Sequence, residues 1–574
     1  MTKRLNHLLA ALLAGAVAAT AFAQQKPDNS GVTIAQQLDI FNSLYKELNT
    51  FYVDTIDARK TLENAINAML DDLDPYTEYI PSREQEDFMV ISTGHYGGIG
   101  SYIMERTGDK KGVYISEPYV GSPAHRAGLR AGDRIIRIDT MSTLGWNSEK
   151  VSNHLKGQPN THVEVEVARP FVDDSLLTFN ILRENIKVSP MPYYGMVRDG
   201  IGYINLNTFN EQSAASVREA VEALKGQGMR ALILDLRGNG GGLMESAVQI
   251  VGLFVPKGTE VVTTRGRDKA SEKIYKTTQE PLDTRLPLAV LVDGGSASAS
   301  EITAGALQDL DRAVIVGSRS FGKGLVQSTR PLPFDGMLKL TVAKYYIPSG
   351  RLIQEVDYSQ RNSDGSFKRT AADTLGNVFH TAAGREVRDG GGITPDIKVD
   401  FPEPNRLVFN IIRDHWDFDF ATRYAAEHPE IPAPKDFTVT DEMFDEFKRS
   451  IDPDKFQYDK VCEQGLDALR KLAKNEGYMN DSTQAAFDRL ELQLKHDLSH
   501  DLDFNRKQIS RLIAQELLTR YYGRAGFIEY DAKDDECINR VAQLLSTPDK
   551  WNALLAAQPA KATPKAAKTS KRKK

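Results

Sequence analysis

A run of small and hydroxyl residues between an apolar segment and a helical one is the first candidate for chemistry. Residues 293–301 read Asp-Gly-Gly-Ser-Ala-Ser-Ala-Ser-Glu and follow the apolar run Leu288–Val292. A small-residue turn there exposes a side chain at the carboxyl edge of a sheet, and the helix behind it offers free N–H groups and partial positive charge. The arrangement suits a nucleophilic serine, since the same N–H groups can hold the oxyanion that forms after the serine attacks. Taken alone, the run fits a plain serine helix cap better.

A serine hydroxyl needs a base, and the segment Ser320–Gln327 offers a lysine for that role. Lys323 stands between two glycines and beside the apolar residues Phe321 and Leu325. Burial of its side chain would disfavour the charged form and supply a neutral amine. A phosphate contact or a solvated loop charge is the alternative, but the glycine pattern of a P-loop is missing.

A glycine-rich segment after another apolar strand is the third candidate. Residues 235–242 read Asp-Leu-Arg-Gly-Asn-Gly-Gly-Gly and follow the run Ala231–Leu234. Consecutive glycines let backbone N–H groups approach a ligand closely, as an oxyanion donor or a substrate-holding loop must. Three strand ends of one α/β unit would then contribute nucleophile, base and oxyanion donors.

Hydrophobic patterning indicates the elements that position these segments. Residues 33–73 have helical periodicity, and residues 90–186 read as short strands and glycine turns of one small β-rich domain. Between 200 and 400, apolar strands alternate with helices, which is the pattern of an α/β fold. Residues 357–392 are polar and contain glycine, and they are predicted to be a long excursion between strands. The chain beyond 402 is mostly helical and charged.

Composition and the two ends exclude several classes of protein. The 574 residues carry a net charge of −6, so the chain has no overall basic character that would favour nucleic acid as a partner. Two cysteines, Cys462 and Cys537, are too few for a disulfide-rich scaffold but allow one bridge. A basic start, an apolar run and Ala21-Phe22-Ala23 read as a secretory signal peptide, with an uncleaved membrane anchor as the alternative. The lysine-rich end favours a solubilising extension over contact with anionic lipid or envelope polymer.

Several segments together resemble the carboxy-terminal processing peptidases, or tail-specific proteases. The resemblance rests on Ser298 in Ser-Ala-Ser-Ala-Ser-Glu, Lys323 in Phe-Gly-Lys-Gly, and Gln327, in that order and spacing. The segments Asp235–Gly241 and Gly391–Asp396 match further motifs of the family's protease core.

The β-rich domain and the N-terminal helices extend this resemblance to about residues 35–400. Tyr96–Gly100, and Gly121–Ala124 before Ala127–Leu129, are similar to a PDZ domain, and Leu73–Tyr79 resembles the family's helical cap. The fold implied is multidomain: an α/β protease core of ClpP/crotonase type, with a mixed sheet and flanking helices, and an inserted PDZ domain between helical N- and C-terminal regions. The predicted segments are a signal peptide at 1–23, a helical cap at 24–89, the PDZ domain at 90–187, the protease core at 188–400, a helical region at 401–556 and a disordered basic tail at 557–574.

The resemblance implies a serine–lysine endopeptidase that cleaves near the C-termini of proteins. Ser298 would be the nucleophile, Lys323 the general base and acid, and Gln327 the residue that orients the lysine. Ala299 and either Gly240 or Gly241 would donate the oxyanion-hole N–H groups.

The PDZ domain would capture the substrate's C-terminal carboxylate through N–H groups of Gly98, Ile99 and Gly100. Neither a metal nor an organic cofactor is implied. The expected partners are proteins or peptides with free C-termini and no nucleic acid, with an adaptor, a membrane surface or oligomerisation left open. The protein is expected to be exported and periplasmic, with association with the inner membrane left open.

Other functions fit the residues less well. A histidine hydrolase would need one of the histidines (among them His95, His125, His154, His162 and His380) in a strand-end glycine turn, and none is there. A zinc protease would need a motif such as His-Glu-x-x-His, which is missing. A catalytically silent scaffold that binds C-termini is the alternative from another class. The region after 401 is open: it could dock a partner, assemble an oligomer or cover the core.

Overall fold

The computed structural model describes residues 30–172, 176–369, 376–400 and 405–556, and divides the chain into two compact units at 1–79 and 80–574. The predicted signal peptide and basic tail lie outside the described residues. The first unit contains helices α1 (Ser30–Phe51) and α2 (Ala58–Asp71). Asp57 caps α2 by accepting a hydrogen bond from the Lys60 N–H. Strand β1 (Glu78–Ile80) runs across the boundary of the units.

The second unit begins with a β-rich domain. An antiparallel sheet runs in the order β3-β4-β5-β7-β8, with β6 beside β5, while β2 pairs with β9. Its core consists of alternate strand residues such as Val163, Val165 and Val167, which face inward. The elements are α3 (Gln85–Thr93), β2 (His95–Gly98), β3 (Ser101–Arg106), β4 (Gly112–Pro118), α4 (Pro123–Ala127), β5 (Arg134–Ile138), β6 (Met141–Ser142), α5 (Ser148–Leu155), β7 (His162–Ala168), β8 (Leu176–Leu182) and β9 (Glu184–Lys187).

A six-stranded sheet in the order β10-β11-β12-β15-β16-β23 forms the α/β core, parallel except for β10. The chain repeatedly leaves this sheet through a helix and returns, as parallel pairing requires. The elements are β10 (Tyr193–Arg198), β11 (Ile201–Asn205), α6 (Ser213–Gly226), β12 (Ala231–Asp235), α7 (Met244–Val251), β15 (Leu288–Val292), α8 (Ala299–Asp309), β16 (Val314–Gly317) and β23 (Ile397–Lys398).

Antiparallel strands form a second layer beside this core. Strand β18 pairs with β17 and with β13, and β13 pairs with β14. The excursion at 357–392 contains two small hairpins, β19–β20 and β21–β22. The elements are β13 (Glu260–Gly266), β14 (Lys273–Lys276), β17 (Leu325–Leu332), β18 (Gly336–Tyr346), β19 (Val356–Arg361), β20 (Phe367–Arg369), β21 (Val378–His380) and β22 (Glu386–Arg388).

Residues 405–556 are mostly helical. Their cluster of buried aromatic and aliphatic side chains includes Phe420, Phe444 and Phe447. The helices are α9 (Arg406–Arg413), α10 (Trp416–Glu427), α11 (Asp441–Ser450), α12 (Val461–Asn475), α13 (Asp481–Leu494), α14 (Leu498–Phe504), α15 (Arg506–Asp531), α16 (Glu536–Leu545) and α17 (Pro548–Leu555).

Helices α16 and α17 cover the second face of the α/β sheet. Leu232 and Leu234 of β12 pack toward the side of α6–α8, whereas Ile233 between them faces a cluster that contains Ile538 and Trp551. The strands are apolar on both faces because both faces are covered. The C-terminal helices therefore complete the core that carries the candidate site.

Two further observations concern the predictions from composition. Both cysteines are free thiols, Cys462 exposed and Cys537 buried. Among the helices of the described ranges, none has an apolar stretch of the length needed to span a membrane.

Candidate active site

Ser298 stands at the N-terminus of α8 in a strained backbone conformation. Its φ of 56° and ψ of −112° lie outside the regions that non-glycine residues favour. Every residue of α8 is buried, and Ser298 itself is half-buried. A sharp strand-to-helix turn of this kind lifts a serine side chain out of the sheet edge and places it before the first free N–H groups of a helix.

Glu301 joins the Ser298 turn to the Lys323 loop. One carboxylate oxygen accepts hydrogen bonds from the backbone N–H groups of Ser298 and Lys323, both at 2.9 Å. The other oxygen accepts from the Ser320 hydroxyl at 2.6 Å and the Gly322 N–H at 2.7 Å. Complete burial raises the pKa of Glu301 to about 7, and the four hydrogen bonds act against that rise.

Tyr345 makes a second bridge between the same two residues. Its hydroxyl lies 2.6 Å from the Lys323 carbonyl oxygen and 3.2 Å from that of Ser298, so that one donor is shared between two acceptors. Tyr345 as a whole is 1% exposed. Ser298 and Lys323, distant in sequence, are therefore held by two common partners.

The glycine loop after β12 lies against Ser298. Gly241 has a φ of 101°, and a Cβ atom there would lie 2.9 Å from the Ser298 Cβ and 3.0 Å from the Ala299 nitrogen. Only glycine allows this approach without strain. The Gly241 N–H donates to the Asn239 Oδ1 at 2.9 Å, whereas Gly240 is exposed beside it.

Side chains and carbonyls tie this loop to the serine turn. The Asn239 carbonyl accepts from the Ala297 N–H at 3.0 Å and the Ser300 hydroxyl at 2.8 Å. Asp293 Oδ1 accepts from the N–H groups of Gly238 and Gly295, at 2.8 and 2.9 Å. The two loops are thus one hydrogen-bonded unit at the carboxyl ends of β12 and β15.

Lys323 and Gln327 lie at the start of the neighbouring antiparallel layer. Lys323 is half-buried and precedes β17, and Gln327 lies on that strand next to a bulge. The Gln327 Nε2 donates to the Thr341 Oγ1 at 3.1 Å. The structure thus brings Ser298, Ala299, the glycine loop and Lys323 to one place and puts Gln327 on the strand that leaves it.

Of the remaining predicted residues, Ile99 lines a cleft of about 390 Å³ in the β-rich domain, and Gly98 and Gly100 are its neighbours in the chain. Gly98 ends β2, Ile99 lines the cleft, and Gly100, with a φ of 75°, begins the turn into β3. The cleft is lined by Val90, Tyr96, Ile99, Ser101, Tyr102, Ile103, Tyr119, Ser152, Leu155, Lys156 and Val188. An open strand edge beside a helix is the geometry in which a peptide can add as a further strand.

The C-terminal helices hold this β-rich domain through ion pairs. Arg106 of β3 makes a bidentate pair with Asp419 of α10, at 2.6 and 2.9 Å. Arg524 of α15 pairs with Glu117 at 3.0 Å, and its guanidinium lies 4.3 Å from the ring centre of Tyr102 in the cleft. The helical region therefore contacts the wall of the cleft.

Family models match three parts of the chain. Residues 200–359 match peptidase family S41, residues 114–169 match a PDZ domain, and residues 407–545 match the C-terminal helical domain of a probable PDZ-protease. These matches fall on the α/β core, the β-rich domain and the C-terminal helices.

The matches between this chain and known proteins extend over most of the length of those proteins. A carboxy-terminal-processing protease of Bartonella bacilliformis is 34% identical over 388 residues, which are 67% of this chain and 80% of that protein. The chain belongs to the carboxy-terminal processing proteases. The carboxy-terminal processing protease CtpA of Bacillus subtilis is 32% identical over 361 residues, 62% of this chain and 76% of that protein. Among solved structures, the photosystem II D1 C-terminal processing protease is 30% identical and covers 63% of this chain and 86% of its own, with a TM-score of 0.34.

The family assignment made from the sequence motifs is confirmed by these matches. The chain is a serine-type peptidase of the carboxy-terminal processing family with a PDZ domain and a C-terminal helical domain.

Sequence reasoning assigned no role to two residues that organise the site of this carboxy-terminal processing protease. Glu301 had a readable signal, because a glutamate three positions after a serine at a helix start is the capping-box pattern. Tyr345 had none: it is one aromatic residue in a strand, and only the fold shows that its hydroxyl lies between the Ser298 and Lys323 carbonyls.

Proposed function

We propose that the chain is an exported serine endopeptidase that cleaves protein substrates near their C-termini through a serine–lysine dyad. The observation that supports this most directly is the double bridge of Glu301 and Tyr345 between the backbones of Ser298 and Lys323. We also expect the core to be of ClpP/crotonase type and the protein to act in the periplasm.

In the proposed reaction, the neutral Lys323 amine takes the proton from Ser298 Oγ as this oxygen attacks the peptide carbonyl carbon. The tetrahedral oxyanion is held by the Ala299 N–H, the first of a helix, and by the Gly240 N–H. We assign this second donor to Gly240 because the Gly241 N–H is engaged by Asn239. The C–N bond then breaks, and Lys323 returns the proton to the leaving amine.

Hydrolysis completes the cycle in the same place. Lys323 removes a proton from water, whose oxygen attacks the acyl carbon, and the Ser298 oxygen leaves and recovers the proton. Gln327 would orient the lysine, a role that an aspartate has in histidine triads. Its amide nitrogen is fixed by Thr341, which restrains the side chain on β17.

The PDZ cleft would capture the substrate by its C-terminus. N–H groups of Gly98, Ile99 and Gly100 would bind the carboxylate while the peptide adds beside β3. Amidating the C-terminus of a substrate peptide should therefore weaken cleavage. Equal cleavage of the free and amidated peptides would contradict this part of the proposal.

Cleavage of a loosely folded protein with a free apolar C-terminus tests the dyad. Cleavage should be abolished by Ser298→Ala, which removes the nucleophile, and by Lys323→Ala, which removes the base. It should also be abolished by Lys323→Arg, since a guanidinium cannot act as a base near neutral pH. Lys276→Arg, on an exposed position of β14, is the control and should retain full activity. Mass spectrometry of the products locates the cleaved bonds. Persistent cleavage by Lys323→Arg would refute the role of the lysine, and wild-type protein that binds C-termini without cleaving them would indicate the silent scaffold instead.

A further inference from the structure

A buried network of charged and polar side chains holds the start of the glycine loop of the candidate site. Asp235 ends β12 and is 2% exposed. The Arg237 Nε lies 2.9 and 3.0 Å from the two Asp235 carboxylate oxygens, and the Tyr203 hydroxyl donates to the same carboxylate at 2.7 Å. Arg237 immediately precedes the glycines, so the position of its guanidinium constrains where the loop begins.

A second carboxylate, from the C-terminal helical region, contacts Arg237. Asp535 Oδ2 accepts a hydrogen bond from the Arg237 Nη1 at 2.7 Å, and the Asp535 side chain is 9% exposed. The other oxygen, Oδ1, accepts from the Ile538 N–H at 2.9 Å and so caps α16. One aspartate thus fixes a helix start and an arginine of the active-site loop together.

Packing makes this contact a part of the core. Helix α16 buries Cys537, Ile538 and Val541 against the sheet face formed by residues such as Ile233 and Leu291. The helix is therefore held in place by apolar burial, and Asp535 at its start presents a fixed negative charge to Arg237. A charge-assisted hydrogen bond in such a little-exposed place is stronger and more directional than one in water.

We infer that Asp535 is a positioning residue of the active site, which holds Arg237 and through it the glycine loop that supplies the second oxyanion donor. The inference rests on the proposed function. It gives the C-terminal helical domain a share in catalysis, because the residue that completes the anchor of the loop comes from that domain. The oxyanion exists only after attack, so a displaced loop should lower kcat and leave KM nearly unchanged.

The test separates the contact with Arg237 from the helix cap. Serine caps helices about as well as aspartate, but its side chain is too short to replace the carboxylate at Arg237. Asp535→Ser should lower kcat by about tenfold to a hundredfold, with KM within about twofold of wild type. The matched control is Asp497→Ser at the start of α14, where Asp497 caps its helix through the His500 N–H at 2.8 Å. This control should keep the wild-type kcat.

A double variant identifies the route of the effect. If Asp535 acts through Arg237, Arg237→Gln combined with Asp535→Ser should lose no more kcat than Arg237→Gln alone. Losses that multiply would overturn the inference, as would equal kcat values for Asp535→Ser and Asp497→Ser. Asp535→Asn, which keeps the cap and the shape, should have an intermediate kcat and serves where the serine variant does not fold. If Ser298→Ala retains cleavage in the same assay, the proposed function fails; if it is inactive and Asp535→Ser is fully active, the inference alone fails.

Discussion

Replacing Glu301 with glutamine should change how the stability of the protein depends on pH. The pKa of Glu301 is about 7 in the folded chain because the carboxyl is fully buried, against 4.5 for an ordinary glutamic acid. Between these two values the folded state keeps a proton that the unfolded state has released. The free energy of unfolding contributed by this group is therefore complete below pH 4.5 and is lost as pH rises through 7.

The size of the effect follows from the difference between the two pKa values. At about 1.4 kcal/mol for each pH unit, the loss between pH 4.5 and pH 7 amounts to about 3 kcal/mol. Glu301→Gln does not titrate, and its own constant cost of a few kcal/mol is the same at every pH. Wild type minus variant should thus fall by about 3 kcal/mol across this range.

Urea denaturation from pH 4.5 to pH 8, followed by tryptophan fluorescence, measures the difference. Glu430→Gln, at an exposed position, is the control for the loss of a glutamate and should parallel wild type at every pH. A difference between wild type and Glu301→Gln that is constant across the range, or that grows with pH, would refute the reasoning. It would mean that the four hydrogen-bond donors outweigh burial and keep the carboxylate ionised.

Two further predictions concern the loop and the PDZ domain. Gly241→Ala should lower kcat at least tenfold in steady-state kinetics, because φ is 101° and the new Cβ would lie 2.9 Å from the Ser298 Cβ. The control is Gly228→Ala, where φ is 88° and a new Cβ would meet open space. Equal kcat values for the two variants would contradict the close approach. Asp419→Asn should weaken the bidentate pair with Arg106 and speed hydrogen exchange in β3 and β4, and unchanged exchange there would show that other contacts hold the domain.

Local sequence patterns were enough to predict the family and the order of the elements around the site. An apolar run followed by small residues and a helical pattern reads as strand, turn and helix, because each of these depends on neighbours in sequence. The segments Leu288–Val292 and Ala299–Asp309 have this form in the structure. Motif resemblance added the family, which the comparisons confirm.

The partners of these segments depend on the tertiary structure. The helical pattern after residue 402 shows that an apolar face exists, but periodicity does not tell which surface it covers. Only the fold shows that α16 and α17 close the sheet face carrying Ile233 and that α10 pairs with the PDZ domain.

The sequence by itself therefore determined the kind of protein and the segments that carry its chemistry, because those signals are local. The tertiary structure decided how the segments are held: Glu301 and Tyr345 between Ser298 and Lys323, and Asp535 against Arg237. Hydrogen bonds between residues far apart in the chain leave no periodic pattern in the sequence, since each needs only two polar groups that folding brings to about 3 Å from each other.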